Sequence, residues 1–380
     1  MTTEQNKIPE DWKGLTPLFD YDEGIYFDMP EDEYHKIPYY SNSGADNMFI
    51  HPLVFWWNSC FNAAKPPEEN KDCLNLGKAF HSMQLEWDKF KELYATAPCK
   101  EDYDQDQLIV GNDGLKAFLK EAGLKTDGSK AVLLERAKPL LEGSSYISFD
   151  IELEEFEARV KKNKQRVIKK DMRDKLNLMD RIYKMIPDAV EATKDGYAEV
   201  TIIWKHEATG VYCKCRVDYL KKEGIVDLKT YSNSQRKNLD KAIRDAITYN
   251  RYNRQYVIYR DALATILPKL KSKRAKIHGK VAPKFIEDLI ANDKPRFFFV
   301  FTLTEMPHPT IVLEAEVSPA IGGTKNVYFE KGMELYEIPI KQYAECFNIY
   351  GALSPWVGEF NSQVLMDEEM PSMLYQGYIN

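Results

Sequence analysis

The sequence predicts an α/β (α+β) protein, because strand-like and helix-like segments both recur along its 380 residues. Three β-rich segments lie in the middle of the chain and are separated by turn signals: 199–205, 211–220 and 225–230. A second pair, 296–304 and 310–316, predicts a hairpin further on. Long segments with apolar residues at every third or fourth position predict the helices.

The composition supports a large folded core and argues against a membrane protein. Hydrophobic residues make up 44% and aromatic residues 12% of the chain, which excludes a globally disordered protein. No apolar run approaches the roughly 20 residues that span a bilayer, and the N-terminus lacks the basic and apolar parts of a signal peptide. A length of 380 residues suggests two or three domains. We therefore expect a soluble, intracellular protein with no membrane partner.

The charge is negative overall but unevenly placed. The net charge of −7 argues against a protein coated with positive charge. Two runs, 159–175 and 269–284, are nevertheless strongly basic. One such run is usually a solvated helix face, whereas two of them in an acidic chain favour a polyanionic partner.

The six cysteines are scattered along the chain and form no CxxC pair. Cys213 and Cys215 point the same way if their segment is a strand. A zinc or iron–sulfur site has little support from this spacing, which favours free, buried thiols instead.

Helices and breaks alternate through the first part of the chain. Residues 1–40 contain four prolines and predict an irregular lead-in. Ser41 and Ser43 are candidate N-caps for a helix that runs toward Phe49. Residues 74–94 then predict one helix, because large apolar side chains recur there at spacings of three and four.

Three further helices are predicted downstream. Residues 101–109 are mostly acidic and polar and predict a linker. Helical sequence covers 150–186 and again 238–267, and a proline follows each segment and is expected to end it. Residues 339–350 predict a closing helix with proline in its first turn.

The hairpin at 211–230 carries the most informative side chains. Asp227 and Lys229 share a face of its second strand, because side chains alternate along a strand. If residues 221–224 form a four-residue turn, Asp218 of the first strand lies opposite Asp227. Directly opposed residues have Cβ atoms roughly 4.5–5.5 Å apart.

Two carboxylates at that separation repel each other unless a cation lies between them. Mg²⁺ and Mn²⁺ bind carboxylate and phosphate oxygens, and Lys229 is placed to orient a water molecule and stabilise charge on a phosphate. This is the outline of a site that hydrolyses phosphodiesters. The alternative is an ordinary exposed strand face, since D-x-K alone is a common pattern. Apolar Val226 and Leu228 on the reverse face favour the site.

Several segments together resemble the PD-(D/E)XK nuclease superfamily. CRVDYL at 215–220 and IVDLKT at 225–230 resemble its motifs II and III, in which an Asp precedes a D/E-x-K triplet. GKAFHSMQLE at 77–86 resembles the helix of RecE- and RecB-type exonucleases that carries a metal-binding His, and QYVIY at 255–259 resembles their QxxxY motif. Residues 34–55 resemble the start of the RecE-type (exodeoxyribonuclease VIII-like) nuclease domain.

The resemblance covers about 25–100 and 150–360 and implies a restriction-endonuclease-like core, with a central mixed β-sheet flanked by helices. One departure is Val217, where the family often has proline before the Asp, and valine suits a strand equally well. The chain also lacks the clustered C-terminal cysteines of relatives that hold an iron–sulfur cluster. We therefore predict no such cluster.

The resemblance also implies which residues form the site. Asp218, Asp227 and Lys229 are the implied catalytic residues. The implied metal ligands, for Mg²⁺ or Mn²⁺, are His81, Asp218, Asp227 and Leu228. Taken alone, His81 would more often be a packed or surface histidine, and the surrounding motif favours a ligand.

Five more residues are candidates with open alternatives. Gln255 and Tyr259 share a helix face and either contact a DNA end or pack in the core. Glu199 is either a further acidic group of the site or an edge residue. Ser41 and Ser43 are candidates for donating hydrogen bonds to a terminal phosphate, since helix N-termini favour anions, and plain helix capping explains them equally well.

Residues 108–145 form a module with a different pattern, between nuclease segments 1–104 and 146–380. Two short amphipathic helices flank Gly123 and Gly128 and resemble a SAP (helix–extension–helix) motif. SAP modules bind the DNA backbone, so the resemblance makes three residues candidate phosphate contacts: Lys125, Lys130 and Arg136. The alternative is a spacer or a protein-docking module.

The resemblance implies an exonuclease that degrades linear duplex DNA ends, 5′ to 3′, in phage or prophage recombination. It further implies a single-strand annealing protein as partner, a ring-shaped homo-oligomer, and the cytoplasm of a bacterial host. Two other functions stay open. One is a structure-specific endonuclease or a CRISPR-associated type of end-trimming nuclease, and the other is an inactive DNA-binding protein.

Overall fold

A seven-stranded mixed β-sheet lies at the centre of the computed structural model, which describes residues 21–62, 64–65, 72–303, 310–315 and 327–357. The strands are β1 (Gly24–Tyr26), β2 (Tyr94–Thr96), β3 (Leu108–Ile109), β4 (Ile147–Ser148), β5 (Arg166–Ile168), β6 (Gly196–Lys205), β7 (Tyr212–Lys221), β8 (Gly224–Tyr231), β9 (Lys276–His278), β10 (Arg296–Leu303) and β11 (Ile311–Glu314). The main sheet has the order β11-β10-β8-β7-β6-β1-β9. β8 pairs with β10 in parallel and with β7 antiparallel, so the sheet is mixed, as predicted.

Helices cover both faces of this sheet. They are α1 (Glu31–Lys36), α2 (Asn42–Ile50), α3 (Pro52–Asn58), α4 (Asp72–Leu85), α5 (Trp87–Leu93), α6 (Gly111–Glu121), α7 (Lys130–Leu141), α8 (Phe149–Asn163), α9 (Lys170–Lys184), α10 (Pro187–Ala192), α11 (Leu239–Tyr249), α12 (Tyr252–Lys271), α13 (Pro283–Ala291) and α14 (Val327–Tyr350). α12 and α14 belong to the core on one face, and α4 and α9 to the core on the other. No helix in the described ranges is long and apolar enough to cross a lipid bilayer.

The central strands are apolar on both sides because helices bury both faces. In β10, Phe297, Phe299 and Phe301 pack into the core on the α12 side. Val300 and Phe298 pack into the core on the α4 side. Full burial of one such side chain stabilises the fold by about 1.5–3 kcal/mol, so this strand fixes the position of both helical layers.

Residues 108–148 form a small helical unit with its own core. α6 and α7 enclose a cluster of buried side chains: Ile109, Leu115, Leu119, Leu133, Leu134 and Ala137. The short parallel pair β3–β4 joins the two ends of the unit. Both helix bounds agree with the predicted pattern, with Gly123 just beyond α6 and Lys130 at the start of α7.

The predicted irregular lead-in is wrong for part of its length, and residues 1–20 lie outside the described residues. Gly24–Tyr26 forms β1, which pairs antiparallel with β6 and in parallel with β9. This strand has only three residues, too few for an alternating pattern to stand out in the sequence. Its position inside the sheet is decided by its two neighbours, not by its own residues.

Three segments predicted as continuous helices are interrupted. Glu86 has φ −140° and ψ 63° and separates α4 from α5. Lys164, with φ 54°, ends α8 before β5, and Arg251, with φ 53°, separates α11 from α12. Apolar side chains continue on both sides of each break, so periodicity alone gives no sign of it.

Two prolines lie inside helices, contrary to the prediction. Pro268 does not end α12, which continues to Lys271, and Pro339 lies in the middle of α14, which begins at Val327. Proline in a helix interior removes a hydrogen bond and costs about 3 kcal/mol. Burial of neighbouring side chains such as Ile340 offsets this cost.

The turn between β7 and β8 has the predicted register. Leu220 pairs with Ile225, and Lys221 pairs with Gly224. Gly224 has φ +148°, and a Cβ at this position would lie 1.8 Å from the carbonyl oxygen of Arg296 on β10. Glycine is therefore required for β10 to lie against the start of β8.

We expect Gly224→Ala to destabilise the protein by about 3 kcal/mol or more, because backbone strain adds to the clash with Arg296. Gly123→Ala is the matched control, since Gly123 has φ +72° and open space around its Cβ position. The control should lose only the strain of about 1–2 kcal/mol. Urea unfolding of both variants measures the difference, and equal losses would contradict the proposed close approach of β10.

Candidate active site

β7 and β8 carry the candidate catalytic side chains at the point where the two strands separate. Their paired residues run from the turn to Tyr219 and Val226. Continuing this register places Asp218 across from Asp227, as predicted. The pairing does not extend that far, and the backbone N–H of Leu228 instead donates to Asp218 Oδ2 at 2.7 Å. The Asp218 carboxylate thus occupies the opening between the strands.

α4 brings His81 to this opening because it runs close along β8. A Cβ on Gly77 would lie 3.2 Å from Thr230 Oγ1, so glycine permits close packing of helix on strand. Four residues later, His81 Nε2 lies 2.7 Å from the carbonyl oxygen of Leu228. The helix rises about 6 Å over the four residues from Gly77 to His81, and the strand rises about 6.6 Å over the two residues from Thr230 to Leu228. Both contacts are therefore consistent with α4 running antiparallel to β8.

His81 presents a lone pair to Asp218. Burial lowers the pKa of His81 below its ordinary value, although the Asp227 carboxylate acts in the opposite direction. A neutral imidazole has one N–H, and donation from Nε2 to Leu228 leaves the lone pair on Nδ1. Nδ1 lies 3.6 Å from Asp218 Oδ2. Two lone pairs at this distance favour a cation between them.

Asp227 is 1% exposed and is held from the α12 side. Its Oδ2 accepts hydrogen bonds from Gln255 Nε2 at 2.8 Å and from the Tyr259 hydroxyl at 2.7 Å. Gln255 Nε2 also lies 2.7 Å from the Tyr259 hydroxyl oxygen. Tyr259 is itself buried. The pair therefore supports the carboxylate from behind.

Lys229 is the cation of the site. Its Nζ lies 2.5 Å from Asp227 Oδ1 and 4.6 Å from the centre of the Tyr252 ring. Burial alone would lower the pKa of Lys229, but the Asp227 and Asp218 carboxylates raise it above its ordinary value. Burial, followed by the charge of Asp227, raises the pKa of Asp218 well above its ordinary value. Two acids thus share one ammonium group.

Glu199 lies beside these residues on β6. It has φ 54°, a left-handed conformation that is unusual within a strand. Arg216 Nε lies 2.5 Å from Glu199 Oε2. One ligand atom from each of Glu199, His81 and Asp218 lies within 4.8 Å of the others. Asp227 does not belong to this group of described residues.

The side chains of the site fit a divalent cation. Asp227 Oδ1 is buried and has no well-directed hydrogen bond; its contact with Lys229 is an ion pair. Asp218 and a neutral His81 add an oxygen and a nitrogen ligand, and the Leu228 carbonyl has a second lone pair. Neighbouring ligands of an ion bound at about 2.1 Å lie roughly 3 Å apart, comparable with the contacts around Leu228.

Ser41 and Ser43 lie at the start of α2, directly after Tyr40, which bridges to Cys213 near the start of β7. Ser41 Oγ accepts a hydrogen bond from the backbone N–H of Gly44 at 3.3 Å, so it caps the helix. Both serines also line a groove of about 750 Å³, together with Lys78 and Lys214. The structure thus supports capping by Ser41, and the groove beside both hydroxyls is lined by Lys78 and by the acidic Glu31.

Two of the three candidate phosphate contacts of the helical unit, Lys130 and Arg136, bind other groups of the protein. Lys130 Nζ lies 2.6 Å from Asp150, which ties α7 to α8. Arg136 donates to the backbone carbonyls of Lys125 and Asp127 at 2.9 and 2.5 Å. Lys130 and Arg136 therefore stabilise the unit itself. Lys125 is exposed and keeps its side chain available for a ligand.

Two residues of the site were missed by the sequence analysis. Tyr252 stacks below Lys229, and its spacing to Gln255 and Tyr259, at i, i+3 and i+7, was a usable signal. Arg216 holds Glu199 and shares a strand face with the predicted Asp218 position, but nothing in the sequence pairs it with residue 199.

Comparison with known proteins agrees with the hairpin motifs. The model of a family described as a PDDEXK-like domain of unknown function (DUF3799) matches residues 60–273, more than half of the chain. This match confirms the resemblance to the PD-(D/E)XK superfamily. The matched range contains His81, Asp218, Asp227 and Lys229.

Other comparisons add little to this match. A crystal structure of a protein named "Putative exonuclease" from Eubacterium rectale aligns with a TM-score of 0.42 and 12% sequence identity, over 82% of each chain. No curated protein matches the chain. The family assignment therefore rests on the family model alone.

Asp218→Asn and Asp227→Asn are expected to change the metal-free protein in opposite directions. Asp218→Asn removes a buried carboxylate that has a like-charged neighbour, and should raise the melting temperature by a few degrees. Asp227→Asn leaves the buried Lys229 ammonium without its partner and should lower stability by about 3 kcal/mol or more. Thermal melts with and without Mn²⁺ measure both effects.

Both variants should also lose the rise in melting temperature that Mn²⁺ gives the unaltered protein, because ligands that bind only the folded state stabilise it. Glu223→Gln, at the exposed turn of the same hairpin, is the control and should keep that rise. A full Mn²⁺ response in Asp227→Asn would contradict the assignment of this carboxylate to the site.

Proposed function

Because this chain belongs to the PDDEXK-like family that matches residues 60–273, we propose that it is a Mg²⁺- or Mn²⁺-dependent nuclease that hydrolyses DNA. One observation carries the proposal. Asp218, Asp227 and Lys229 are brought together in a buried opening of the sheet, with His81 from one helical layer and the Gln255–Tyr259 pair from the other. Buried, unbalanced charge of this kind is expensive to maintain and is typical of active sites.

Each side chain has a role that follows from its contacts. His81, Asp218, Asp227 and the Leu228 carbonyl would hold the cation, which when bound supplies positive charge that polarises a phosphodiester and acidifies water. Lys229 is the only side-chain cation in contact with Asp227 among the described residues. Its ammonium group orients the attacking water and stabilises charge on the phosphate.

Gln255 and Tyr259 are positioning residues for Asp227. Their two hydrogen bonds occupy Oδ2 and leave Oδ1 for Lys229 or a cation. A buried carboxylate held in this way cannot rotate freely, so the ligand atom is fixed before substrate binds. Preorganisation of this kind favours catalysis because no reorganisation is needed during the reaction.

We further propose that the substrate is a linear duplex DNA end, degraded 5′ to 3′ in phage-type recombination in the cytoplasm of a bacterial host. The RecE-type motifs at 77–86 and 255–259 support this. The groove beside Ser41 and Ser43 offers their hydroxyls and Lys78 as donors for a terminal phosphate. A single-strand annealing protein as partner and a ring-shaped homo-oligomer follow from the same resemblance.

A basic loop supplies a surface for the DNA backbone. The basic loop comprises the end of α8 from Arg159 and residues 164–169, which join α8 to α9. It lies on the side of the sheet that carries α4, since Ile168 of its short strand packs in the same core as Phe80. Six of its side chains have no ion pair among the described residues: Arg159, Lys161, Lys162, Lys164, Arg166 and Lys169. In the second basic run, by contrast, Lys269, Lys276 and Lys284 are each paired with an acid.

The helical unit at 108–148 is proposed to add DNA affinity, as the SAP resemblance implies. Lys116, Lys120 and Lys125 are exposed on or next to α6. Phosphate contacts act by releasing counterions, with a slope of about −0.9 in log affinity against log salt for each contact. The salt slope of DNA binding therefore measures the contribution of the helical unit and that of the basic loop in the same way.

We expect the protein to degrade a linear duplex in the presence of Mn²⁺ and to leave a closed circle of the same sequence intact. Label at the 5′ end should be released before label at the 3′ end. Lys229→Ala should bind Mn²⁺ normally yet cleave about 100-fold more slowly or worse, as is usual when a transition-state charge partner is removed. Gel assays on labelled substrates measure both.

Three other results have distinct meanings for this proposal. Cleavage of the circle would indicate an endonuclease, and release of the 3′ label first would reverse the polarity. If linear DNA stays intact in both Mg²⁺ and Mn²⁺, the result would favour the alternative of an inactive DNA-binding protein.

Three triple variants, each removing three positive charges, test the DNA surface. Lys161/Lys162/Lys164→Ala in the basic loop should reduce the salt slope of DNA binding by about 2–3. Lys116/Lys120/Lys125→Ala in the helical unit should reduce it by a smaller amount. Lys271/Lys273/Lys280→Ala, at the far end of α12 and beyond, is the charge-matched control.

Fluorescence anisotropy at several salt concentrations measures these slopes. The control should retain the slope of the unaltered protein within about 0.5. Equal slopes in all three variants would show that the loss of net charge, and not a defined surface, sets the affinity. An unchanged slope for the α6 variant would make the helical unit a spacer.

A further inference from the structure

Three aromatic side chains, Trp87, Phe90 and Tyr94, form a stacked aromatic row from α5 to β2. The ring centroids of Trp87 and Phe90 are 5.4 Å apart at an interplanar angle of 14°, and those of Phe90 and Tyr94 are 5.2 Å apart at 27°. Tyr94 is buried, whereas Trp87 is 52% exposed. The aromatic row therefore leads from the core to the surface and ends in a half-exposed indole ring.

Helical spacing produces the aromatic row. Phe90 follows Trp87 by three residues and Tyr94 follows Phe90 by four, so the three rings lie along one face of α5 and its continuation. Phe90 and Tyr94 pack into the core on the α4 side and fix the orientation of the helix. Trp87 lies beyond that core. A large apolar surface left in water is unfavourable, and tryptophan is enriched where a ligand or partner covers it.

The basic loop lies directly beside the aromatic row. The side-chain amide of Gln165 donates to the backbone carbonyl oxygens of Lys91 at 3.0 Å and Tyr94 at 3.4 Å. β5 pairs with β2 in parallel, which places Arg166 across from Tyr94. The guanidinium carbon of Arg166 lies 6.0 Å from the centre of the Tyr94 ring. The basic loop and the aromatic row are therefore parts of one surface.

The charge of this surface is positive overall. Asp88 pairs with Lys91 at 2.8 Å, and Glu86 pairs with Lys89 at 3.0 Å, so these charges compensate each other. Glu92 is the remaining acid of α5. The basic loop, by contrast, has six cationic side chains without an ion pair among the described residues. A polyanion is therefore the ligand whose charge matches this surface.

An exposed aromatic ring beside unpaired cations fits single-stranded nucleic acid better than a duplex. The cations attract the phosphates, and the ring stacks on a nucleobase. The bases of a duplex are stacked on each other and paired, so a duplex can use the cations of the basic loop but not the indole ring of Trp87.

We propose that Trp87 and the basic loop bind single-stranded DNA, the strand that remains when the opposite strand of a duplex is degraded. This inference rests on the proposed nuclease function and deepens it, because it names the form of DNA that is held beside the active site. Trp87 follows His81 by six residues, so their Cα atoms are at most about 22 Å apart. A strand released at the site thus lies within reach of the indole ring.

Fluorescence anisotropy in the absence of divalent cations tests this proposal, because no DNA is cleaved under that condition. The probes are labelled oligo(dT) of about 20 nucleotides and a labelled duplex of the same length. Trp87→Ala should weaken the binding of oligo(dT) about 10-fold, the usual effect of losing one stacked base, and change the affinity for the duplex less than about twofold. Trp57→Ala, which removes another half-exposed tryptophan, on α3, is the matched control and should change neither affinity.

Two further variants separate stacking from charge. Trp87→Phe keeps an aromatic ring and should bind oligo(dT) almost as tightly as the unaltered protein. Oligo(dT) should quench part of the tryptophan fluorescence of the unaltered protein, and Trp87→Phe should lose that part of the quenching while it still binds. Arg166→Gln should reduce the salt slope of oligo(dT) binding by about 0.7, the value for one phosphate contact on a single strand, whereas Trp87→Ala should leave the slope unchanged.

Three results would overturn the single-strand site. The first is an equal loss of affinity for oligo(dT) and the duplex in Trp87→Ala, which would indicate a general effect on the DNA surface. The second is no loss for either probe, which would leave the exposed ring to a protein partner. The third is tighter binding of oligo(rU) than of oligo(dT), which would make RNA the ligand.

These binding measurements are independent of the nuclease assay. A loss of oligo(dT) binding in Trp87→Ala supports the single-strand site even if no DNA is cleaved with Mg²⁺ or Mn²⁺, in which case only the proposed nuclease function fails. If the protein cleaves DNA and Trp87→Ala binds oligo(dT) as the unaltered protein does, only the single-strand site fails.

Discussion

A carboxylate removed from water is stable only when donors or cations surround it, and Asp227 imposes this requirement on the whole site. Its two oxygens need partners in a sheet whose other side chains are mostly apolar. The QxxxY helix supplies two hydrogen bonds to Oδ2, and Lys229 from the same strand contacts Oδ1. α12 must therefore lie at one depth and one rotation on the sheet, and the aromatic side chains of β10 hold it there.

The second constraint is the opening between β7 and β8. A continuous ladder would leave no room for ligands at Asp218, because backbone N–H and carbonyl groups would pair with each other. Separation of the strands releases these groups, so that Leu228 both donates to Asp218 and accepts from His81. The opening is possible because the neighbouring strands β6 and β10 remain paired with β7 and β8 on their outer sides.

Acidic and basic side chains lie in different places, with the acids at the candidate active site and the basic side chains on the basic loop. The site contains more acids than cations, which suits metal ions, and the basic loop between α8 and α9 lies on the same side of the sheet as His81. An acidic protein with a net charge of −7 can thus attract a polyanion locally while repelling it elsewhere. Such an arrangement would direct the proposed DNA substrate to one side of the protein.

The sequence by itself determined the strands of the hairpin and its register, and so the neighbouring positions of Asp218, Asp227 and Lys229, because a period of two and a short turn are local properties. It did not reveal β1, the breaks at Glu86 and Arg251, or the positions of Pro268 and Pro339 within helices, since each of these depends on what packs against the segment. The partners of the site were likewise decided by the tertiary structure. Tyr259 lies behind Asp227, and Glu199, in a left-handed conformation, lies close to His81. Both arrangements depend on side chains that are distant in the sequence, because a buried charge is stable only where such side chains supply hydrogen bonds or opposite charge.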